Sequence, residues 1–152
     1  MNTSNQHKGH VLVVDDQENI QFILGLSLER AGYTVETAGD GLEAIKKMMH
    51  RPFHVVITDY LMPRMNGLEF LTISKLRWPD TPVVMITGDS SDTIAESATQ
   101  AGAFALVHKP FDYAVLFQLL SMAVLHSRKD QKTLAATGHA NEPQRGNGSR
   151  PS

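Results

Sequence analysis

Short apolar segments alternate with longer segments of helical spacing along most of the chain. Four of the short segments are rich in β-branched or other apolar residues, as in strands buried on both faces of a sheet: 11–14, 55–58, 83–86 and 104–107. A fifth, at 33–38, alternates with polar residues, which is typical of an edge strand. Helical spacing is found between them, at 17–31, 41–50, 66–77, 91–101 and 112–126. This order predicts an α/β protein with a doubly wound, five-stranded parallel sheet that helices cover on both faces.

The composition fits one globular domain. The chain has 152 residues, of which 41% are hydrophobic and 20% are charged. A formal net charge of -2 supplies no concentrated positive field, so we expect no direct DNA binding. The absence of cysteine excludes disulfides and thiolate metal sites. The sequence has neither a signal peptide nor an apolar run of about 20 residues, so we expect a cytoplasmic protein that does not contact a membrane.

Both ends of the chain differ in composition from the region between them. Residues 1–8 are polar, and residues 127–152 contain one leucine and no aromatic residue. Such a segment cannot bury enough apolar surface to order itself. We therefore predict a disordered N-terminus at 1–8, a single domain at 9–126 and a disordered C-terminal tail at 127–152.

Polar side chains follow four of the predicted strands. Asp15 and Asp16 come after the first, Asp59 after the third, Thr87 after the fourth, and Lys109 just past the fifth. Each alone has an ordinary explanation as a helix cap, a turn residue or a surface lysine. Because the carboxyl ends of parallel strands meet at one edge of the sheet, all five are expected to lie together.

Three carboxylates at one edge of a sheet repel each other, which costs stability unless a cation compensates. Mg²⁺ is the expected cation, with Mn²⁺ as a substitute. A hard divalent ion binds carboxylate oxygens and keeps water ligands that a phosphate group can replace. The sequence therefore predicts a site that combines a metal ion with phosphate chemistry.

Four motifs occur in order along the chain: DD at 15–16, DYLMPRMNG at 59–67, ITG at 86–88 and HKPF at 108–111. As a set they resemble the receiver domain of two-component response regulators, and in particular the stand-alone receivers of the chemotaxis type. The resemblance runs from about Gly9 to Leu125. It implies the (βα)5 flavodoxin-like receiver fold with strand order 2-1-3-4-5.

The resemblance also implies roles for individual acids. Asp59 would be the phosphoacceptor, because an aspartate carboxylate can attack phosphorus and form an acyl phosphate. Asp15, Asp16 and Asp59 would hold Mg²⁺ together with the backbone carbonyl of Leu61. Asp16 would be a direct ligand, and Asp15 would act through water.

Two further residues would complete this chemistry. The Lys109 ammonium would neutralise charge on the transferred phosphoryl group, and the Thr87 hydroxyl would follow the new phosphate and move its loop. Pro110 resembles the cis-proline that orients the lysine in this family. The sequence itself does not show the isomer of the Lys109–Pro110 bond.

The chain departs from the chemotaxis type on the fifth strand. Those receivers usually carry Tyr or Phe three residues before the lysine, and its rotamer reports phosphorylation. Here that position is Leu106, and we expect Phe104 to face the same side of the sheet. A leucine cannot serve as the same aromatic switch, although the chemistry at Asp59 does not need the ring.

The function that the resemblance implies is signalling rather than enzymatic turnover. The protein would accept a phosphoryl group on Asp59 from a sensor histidine kinase or a histidine phosphotransfer protein, and would catalyse only its own phosphorylation and dephosphorylation. It would then signal to a downstream target through changed protein–protein contacts. A phosphorelay intermediate and a phosphate sink are the alternatives.

Two other classes of protein share parts of this pattern. A flavodoxin-like flavin carrier would bind its phosphate after the first strand, where Asp15 and Asp16 would repel it. A haloacid-dehalogenase-like phosphatase also forms an aspartyl phosphate, but its second acid lies two residues after the nucleophile. With Asp15 as the nucleophile, that place is occupied by Gln17.

The last predicted helix carries two apolar arcs at about 100° per residue. Leu116, Leu120, Ala123 and Val124 form a core stripe. Val115, Leu119 and Met122 form a second arc, which we expect on the opposite side. Because a monomer seldom exposes a continuous apolar ridge, this arc, with Leu106 at its edge, predicts a homodimer or a docking surface for a target protein.

Overall fold

The computed structural model describes residues 7–140, with side chains described as far as Ser127. Five strands alternate with five helices: β1 (Gly9–Val14), α1 (Glu18–Arg30), β2 (Tyr33–Ala38), α2 (Gly41–His50), β3 (Val55–Asp59), α3 (Gly67–Arg77), β4 (Val83–Thr87), α4 (Asp92–Ala101), β5 (Ala105–His108) and α5 (Tyr113–Ala140). All four strand pairings are parallel, in the order β2-β1-β3-β4-β5. The predicted fold and strand order are confirmed.

The sheet separates two apolar layers. Alternate residues of each strand point to opposite faces, so Val11 and Val13 join one layer while Leu12 and Val14 join the other. Helices α1 and α5 cover the first layer, and α2, α3 and α4 cover the second. Burial on both faces is why the inner strands consist almost entirely of apolar residues.

Strand register places the carboxyl ends of β1, β3, β4 and β5 side by side. Val14 pairs with Thr58, Asp59 pairs with Ile86, and Thr87 pairs with His108. The residues that follow these positions therefore emerge at the carboxyl edge of the sheet.

Side-chain caps fix where the helices begin at this edge. Asn66 accepts a hydrogen bond from the backbone N–H of Glu69, while the Glu69 carboxylate accepts one from the backbone N–H of Asn66. This reciprocal capping box starts α3. Asp40 caps α2 by accepting from the backbone N–H of Glu43 at 2.8 Å.

The predicted orientation of Phe104 is wrong. The regular strand β5 begins one residue later, at Ala105, so the strict alternation of sides does not extend to Phe104. Its ring packs against the layer under α1 and α5 and lies 5.8 Å from the ring of His126. Leu106 packs on the other face, under α3 and α4.

Helix α5 continues to Ala140 and so overlaps the segment for which we predicted a disordered tail. The predicted disorder of this segment rested only on its lack of apolar residues. This segment has neither glycine nor proline before Gly138, and it can extend a helix that already packs on the sheet. The predicted disorder at 1–6 and 141–152 lies outside the described residues. Within the described residues, no helix has the length and apolar character needed to cross a bilayer.

Candidate functional site

Three aspartates meet at the carboxyl edge of the sheet, as predicted. One carboxylate oxygen from each of Asp15, Asp16 and Asp59 lies within 4.8 Å of the other two. Asp15 is buried, Asp59 is half-buried, and Asp16 is exposed. The group thus runs from the interior of the domain to its surface, which leaves one side open to a ligand.

Asp15 is held by three hydrogen bonds. Its backbone N–H donates to Ala38 O at 3.0 Å, and its Oδ1 accepts from the backbone N–H of Gln17 at 2.9 Å. Gln21 Nε2 donates to the carbonyl of Asp15 at 2.6 Å. No role for Gln21 was predicted from the sequence. Its position near the start of the predicted helix, close to Asp15 in sequence, is the one signal that could have indicated this contact.

The pKa of Asp15 is raised above its usual value. Burial is the largest cause, and the negative charges of Asp59 and Asp16 add to it. The hydrogen bond from Gln17 and the charge of Lys109 act in the opposite direction and lower the pKa. The surroundings therefore disfavour the charged carboxylate in a way that a nearby cation would relieve.

Lys109 reaches the same group of acids. Its Nζ lies 3.1 Å from Asp59 Oδ1, and its backbone N–H donates to Thr87 O at 2.8 Å. The Lys109–Pro110 peptide bond is cis, the isomer that the resemblance implied. The predicted ammonium is thus within bonding distance of the predicted acceptor.

Thr87 ends β4 and is buried. Its Oγ1 accepts a hydrogen bond from the backbone N–H of Asp89 at 2.9 Å. The hydroxyl is therefore at the predicted edge and is bonded to the loop that leads into α4. If it changed partner, it would release one contact of that loop.

The turn after Asp59 requires glycine at position 67. The backbone N–H of Gly67 donates to Tyr60 O at 2.7 Å, and Tyr60 N donates to Ile86 O at 2.8 Å. A Cβ on Gly67 would lie only 2.4 Å from the carbonyl oxygen of Asp59. Since backbone cannot yield as a flexible side chain does, this close approach excludes a larger residue.

Leu61 lies two residues after Asp59, and its side chain is 71% exposed. An aliphatic side chain offers no metal ligand, so its backbone carbonyl is the one group that could serve as predicted. All the donors assembled or predicted here are hard oxygen atoms, which suits Mg²⁺. The residues present therefore fit the predicted ion.

The predicted interface residues do not form one continuous exposed arc. Val115 and Met122 are 50% and 53% exposed. Leu119 is half-buried and packs against the core layer, so its predicted position opposite the core stripe is wrong. On the helix it lies at the flank of that stripe rather than across from it. Leu106 is also half-buried, whereas Leu125 is 67% exposed.

Fold and site together define a receiver-type α/β domain, with an acidic pocket and a lysine at the carboxyl edge of a doubly wound sheet. The family model for the response regulator receiver domain matches residues 11–121. The chain belongs to this family, whose members act in two-component signal transduction. Phosphorylation by histidine kinases and Mg²⁺ binding are typical of them.

Curated relatives include two proteins of Escherichia coli strain K12. The DNA-binding transcriptional regulator NtrC is 36% identical over 125 residues, which are 82% of this chain and 27% of NtrC. The transcriptional regulatory protein GlrR is 37% identical over 123 residues, which are 80% of this chain and 28% of GlrR. The chain thus spans about a quarter of the length of these relatives.

Solved structures of receivers align over most of their length. The chemotaxis protein CheY4 of Vibrio cholerae is 35% identical with a TM-score of 0.71, and the match covers 75% of this chain and 97% of that one. The response regulator TrrA of Thermotoga maritima, in complex with Mg²⁺ and BeF, is 32% identical with a TM-score of 0.69 and the same coverage.

Proposed function

We propose that the protein accepts a phosphoryl group on Asp59 and signals through changed contacts with other proteins. The observation that carries the proposal is the 3.1 Å contact between Lys109 Nζ and Asp59 Oδ1, beside two further aspartates. Asp59 ends the central strand β3 and is half-buried, so it can be reached from the open side of the pocket.

In the transfer step a carboxylate oxygen of Asp59 attacks phosphorus. The new bond joins Asp59 Oδ to phosphorus, and the bond from phosphorus to the donor's imidazole nitrogen, or to the carboxylate of acetyl phosphate, breaks. The Lys109 ammonium stabilises the negative charge of the phosphoryl oxygens. Mg²⁺ held by Asp16, Asp59 and the Leu61 carbonyl, with Asp15 acting through water, would neutralise further charge on this group.

The new phosphate offers acceptor oxygens to the Thr87 hydroxyl. That hydroxyl already binds the backbone N–H of Asp89, so a shift toward the phosphate exchanges one partner for another. The loop before α4 would then move with it. This is a discrete change of hydrogen bonds, of the kind that switches a protein between two states.

An apolar cleft beside Asp59 supports docking of the phosphodonor. A cavity of about 310 Å³ has Asp15, Asp59 and Lys109 in its lining, together with apolar side chains of α1 and of the segment after β5. Ile23 and Tyr113 in this lining are 48% and 38% exposed. A helix of a histidine kinase or phosphotransfer protein could bury these side chains and bring its phosphohistidine to Asp59.

The exposed apolar residues of α5 support an output surface. Val115, Met122 and Leu125 are at least half exposed on the same helix. We propose that this surface binds a downstream target protein or a second copy of the chain. Leu106 packs on the opposite face of the sheet, under α3 and α4, so it lies outside this α5 surface.

A role as phosphorelay intermediate or phosphate sink is the alternative, and it uses the same site. The protein would in every case catalyse only its own phosphorylation and dephosphorylation. The names of NtrC and GlrR refer to transcriptional regulation, and the chain matches only about a quarter of each. The predictions of a stand-alone receiver and of no direct DNA binding therefore stay predictions.

Phosphotransfer profiling tests the proposal. The purified protein is mixed with phosphorylated histidine kinases and histidine phosphotransfer proteins, and radiolabel is followed over time. We expect rapid transfer from a cognate donor to the wild type and none to Asp59→Asn. Label that later moves to a second histidine protein would identify a relay, and label that decays without transfer would favour an effector or a sink. Equal labelling of wild type and Asp59→Asn would overturn the proposal.

A further inference from the structure

The loop between β3 and α3, at 60–66, touches the beginning of α2 in two places. Arg64 Nη1 lies 3.1 Å from Asp40 Oδ2. Met65 packs over Gly41 so closely that a Cβ on this glycine would be 2.7 Å from the methionine Sδ. The loop that follows Asp59 is therefore attached to the beginning of α2, 24 residues earlier in sequence.

Arg64 has an unusual backbone conformation. Its φ of 69° lies in the left-handed region, and among the described residues no other non-glycine residue has a positive φ. The next residue, Met65, donates its backbone N–H to Pro63 O at 2.7 Å, which closes a tight turn around Arg64. A left-handed residue with a Cβ costs about 1–2 kcal/mol, so surrounding contacts must stabilise it.

Asp40 is suited to provide that contact. Its Oδ1 accepts the hydrogen bond that caps α2, which leaves Oδ2 for the guanidinium of Arg64. The side chain of Asp40 is only 16% exposed, and an acid at a helix N-terminus is stabilised by the helix dipole. Arg64 thus binds an oxygen whose position is already fixed.

We propose that Asp40 and Arg64 are a positioning pair for the metal site. By tying the turn at Arg64 to α2, they hold the loop that carries Leu61 and so place its backbone carbonyl beside Asp59. This inference rests on the proposed function, because it takes the Leu61 carbonyl to be a ligand of Mg²⁺. Neither residue belongs to the group of acids that could hold the ion, so both would act through the loop.

Variants can remove the pair without removing the helix cap. Asp40→Asn keeps an N-cap residue of similar quality and removes the charge. Arg64→Gln removes the guanidinium, and Arg64→Gly also relieves the left-handed backbone. Arg51→Gln is the matched control for the Arg64 variants, because Arg51 pairs with Glu36 at 2.8 Å at the other end of α2 and its loss changes the net charge as the loss of Arg64 does.

The first measurement is Mg²⁺ affinity by calorimetry on the unphosphorylated protein. We expect roughly threefold to fivefold weaker binding for Asp40→Asn and for each Arg64 variant, as befits one ion pair. The double variant Asp40→Asn with Arg64→Gln should bind no more weakly than either single variant, because both remove the same contact. Arg51→Gln should bind as the wild type does.

The second measurement separates positioning from general damage. Labelling by acetyl phosphate should be slower than wild type at limiting Mg²⁺ and should recover fully at saturating Mg²⁺. Unchanged Mg²⁺ affinity in the Asp40 and Arg64 variants, or a defect that saturating Mg²⁺ does not restore, would overturn the inference. If the wild type itself bound no Mg²⁺ or took no label, the proposed function would fail instead.

Discussion

Lys109 Nζ lies 3.1 Å from Asp59 Oδ1, and the backbone N–H of the same lysine is bonded to Thr87 O. One residue therefore connects the carboxylate at the end of β3 with the end of β4. Asp59 pairs with Lys109 while Asp15, at the same edge, carries a raised pKa. Burial is the main cause of this raised pKa, and the positive charge of Lys109 acts against it.

This contact makes Asp59 the expected phosphoacceptor. Asp59→Asn should abolish labelling by acetyl phosphate in the presence of Mg²⁺, because an amide oxygen is a far weaker nucleophile than a carboxylate. Intact-mass spectrometry would show the added phosphate on the wild type only. A variant that still gains phosphate at wild-type yield would mean that another residue is the acceptor.

Removing Asp16 should weaken metal binding without harming the fold. Asp16 is exposed and is one of the three grouped acids, so Asp16→Ala removes a proposed ligand and also relieves repulsion between like charges. We expect Mg²⁺ affinity to fall by about tenfold or more in calorimetry. Asp80→Ala, which removes an exposed acid from the loop before β4, is the control with the same change of net charge.

Asp15→Asn should stabilise the metal-free protein at neutral pH. A raised carboxyl pKa means that the folded state holds its proton to a higher pH than the unfolded state does. The free energy of unfolding of the wild type should therefore decrease as pH rises from the usual value of 3.8 through the raised pKa. The asparagine variant lacks this loss and should gain about 1 kcal/mol, the order of one like-charge contact in water.

Urea unfolding at several pH values without divalent ions would measure this difference. The amide oxygen that Asp15→Asn introduces can still accept the hydrogen bond from Gln17. The substitution therefore changes the charge at this position and keeps the hydrogen bond. Mg²⁺ binding by the wild type should weaken as pH falls through the raised pKa, because protonation competes with the ion. Parallel stability curves for the two proteins would contradict the prediction.

Gly67→Ala should damage both stability and phosphorylation. The added methyl group would lie 2.4 Å from Asp59 O, so the turn after Asp59 must move. We expect a loss of about 2 kcal/mol in the free energy of unfolding and slower labelling of Asp59. Gly88→Ala is the matched control, since nothing lies within 4 Å of a Cβ there. Thermal melting and acetyl phosphate labelling of both variants would measure these two effects.

The α5 surface is tested by changing only its exposed residues. Val115→Glu with Met122→Lys preserves the net charge and should remove self-association while the free energy of unfolding changes by about 0.5 kcal/mol or less. Leu119→Glu should instead destabilise the domain by about 2 kcal/mol, because Leu119 packs against the core. Sedimentation velocity with and without beryllofluoride measures the association. A wild type that is monomeric in both conditions would leave target binding as the role of this surface.

The positions of the strands and the grouping of the three aspartates could be predicted from local sequence patterns. Runs such as 11–14 and 83–86 are short, apolar and β-branched, and parallel pairing brings the residues after them to a common edge. Asp15, Asp16, Asp59 and Lys109 could therefore be placed together from the amino-acid sequence alone. Contacts between loops could not be predicted in this way, because the pairing of Asp40 with Arg64 depends on the path of two separate loops.

Side-chain directions at element ends were the least predictable. Periodicity holds only inside a regular element, and Phe104 lies one residue before β5. Leu119 is a different case, because helical spacing by itself places this residue at the flank of the core stripe, where it packs, and not opposite the stripe. The length of α5 depends on helix propensity beyond the packed core, which a count of apolar residues does not measure.

The backbone amides of Asp15, Tyr60 and Lys109 each continue the hydrogen-bond ladder of the sheet past the ends of its strands. Such amides exchange with solvent deuterium only when the core itself opens, whereas amides of exposed turns exchange through small local openings. We expect these three amides to belong to the slowest-exchanging unit of the domain. The turn at Asp89 would belong to the fastest, so the proposed phosphorylation would occur on the rigid sheet and its effect would pass to a loop that opens easily.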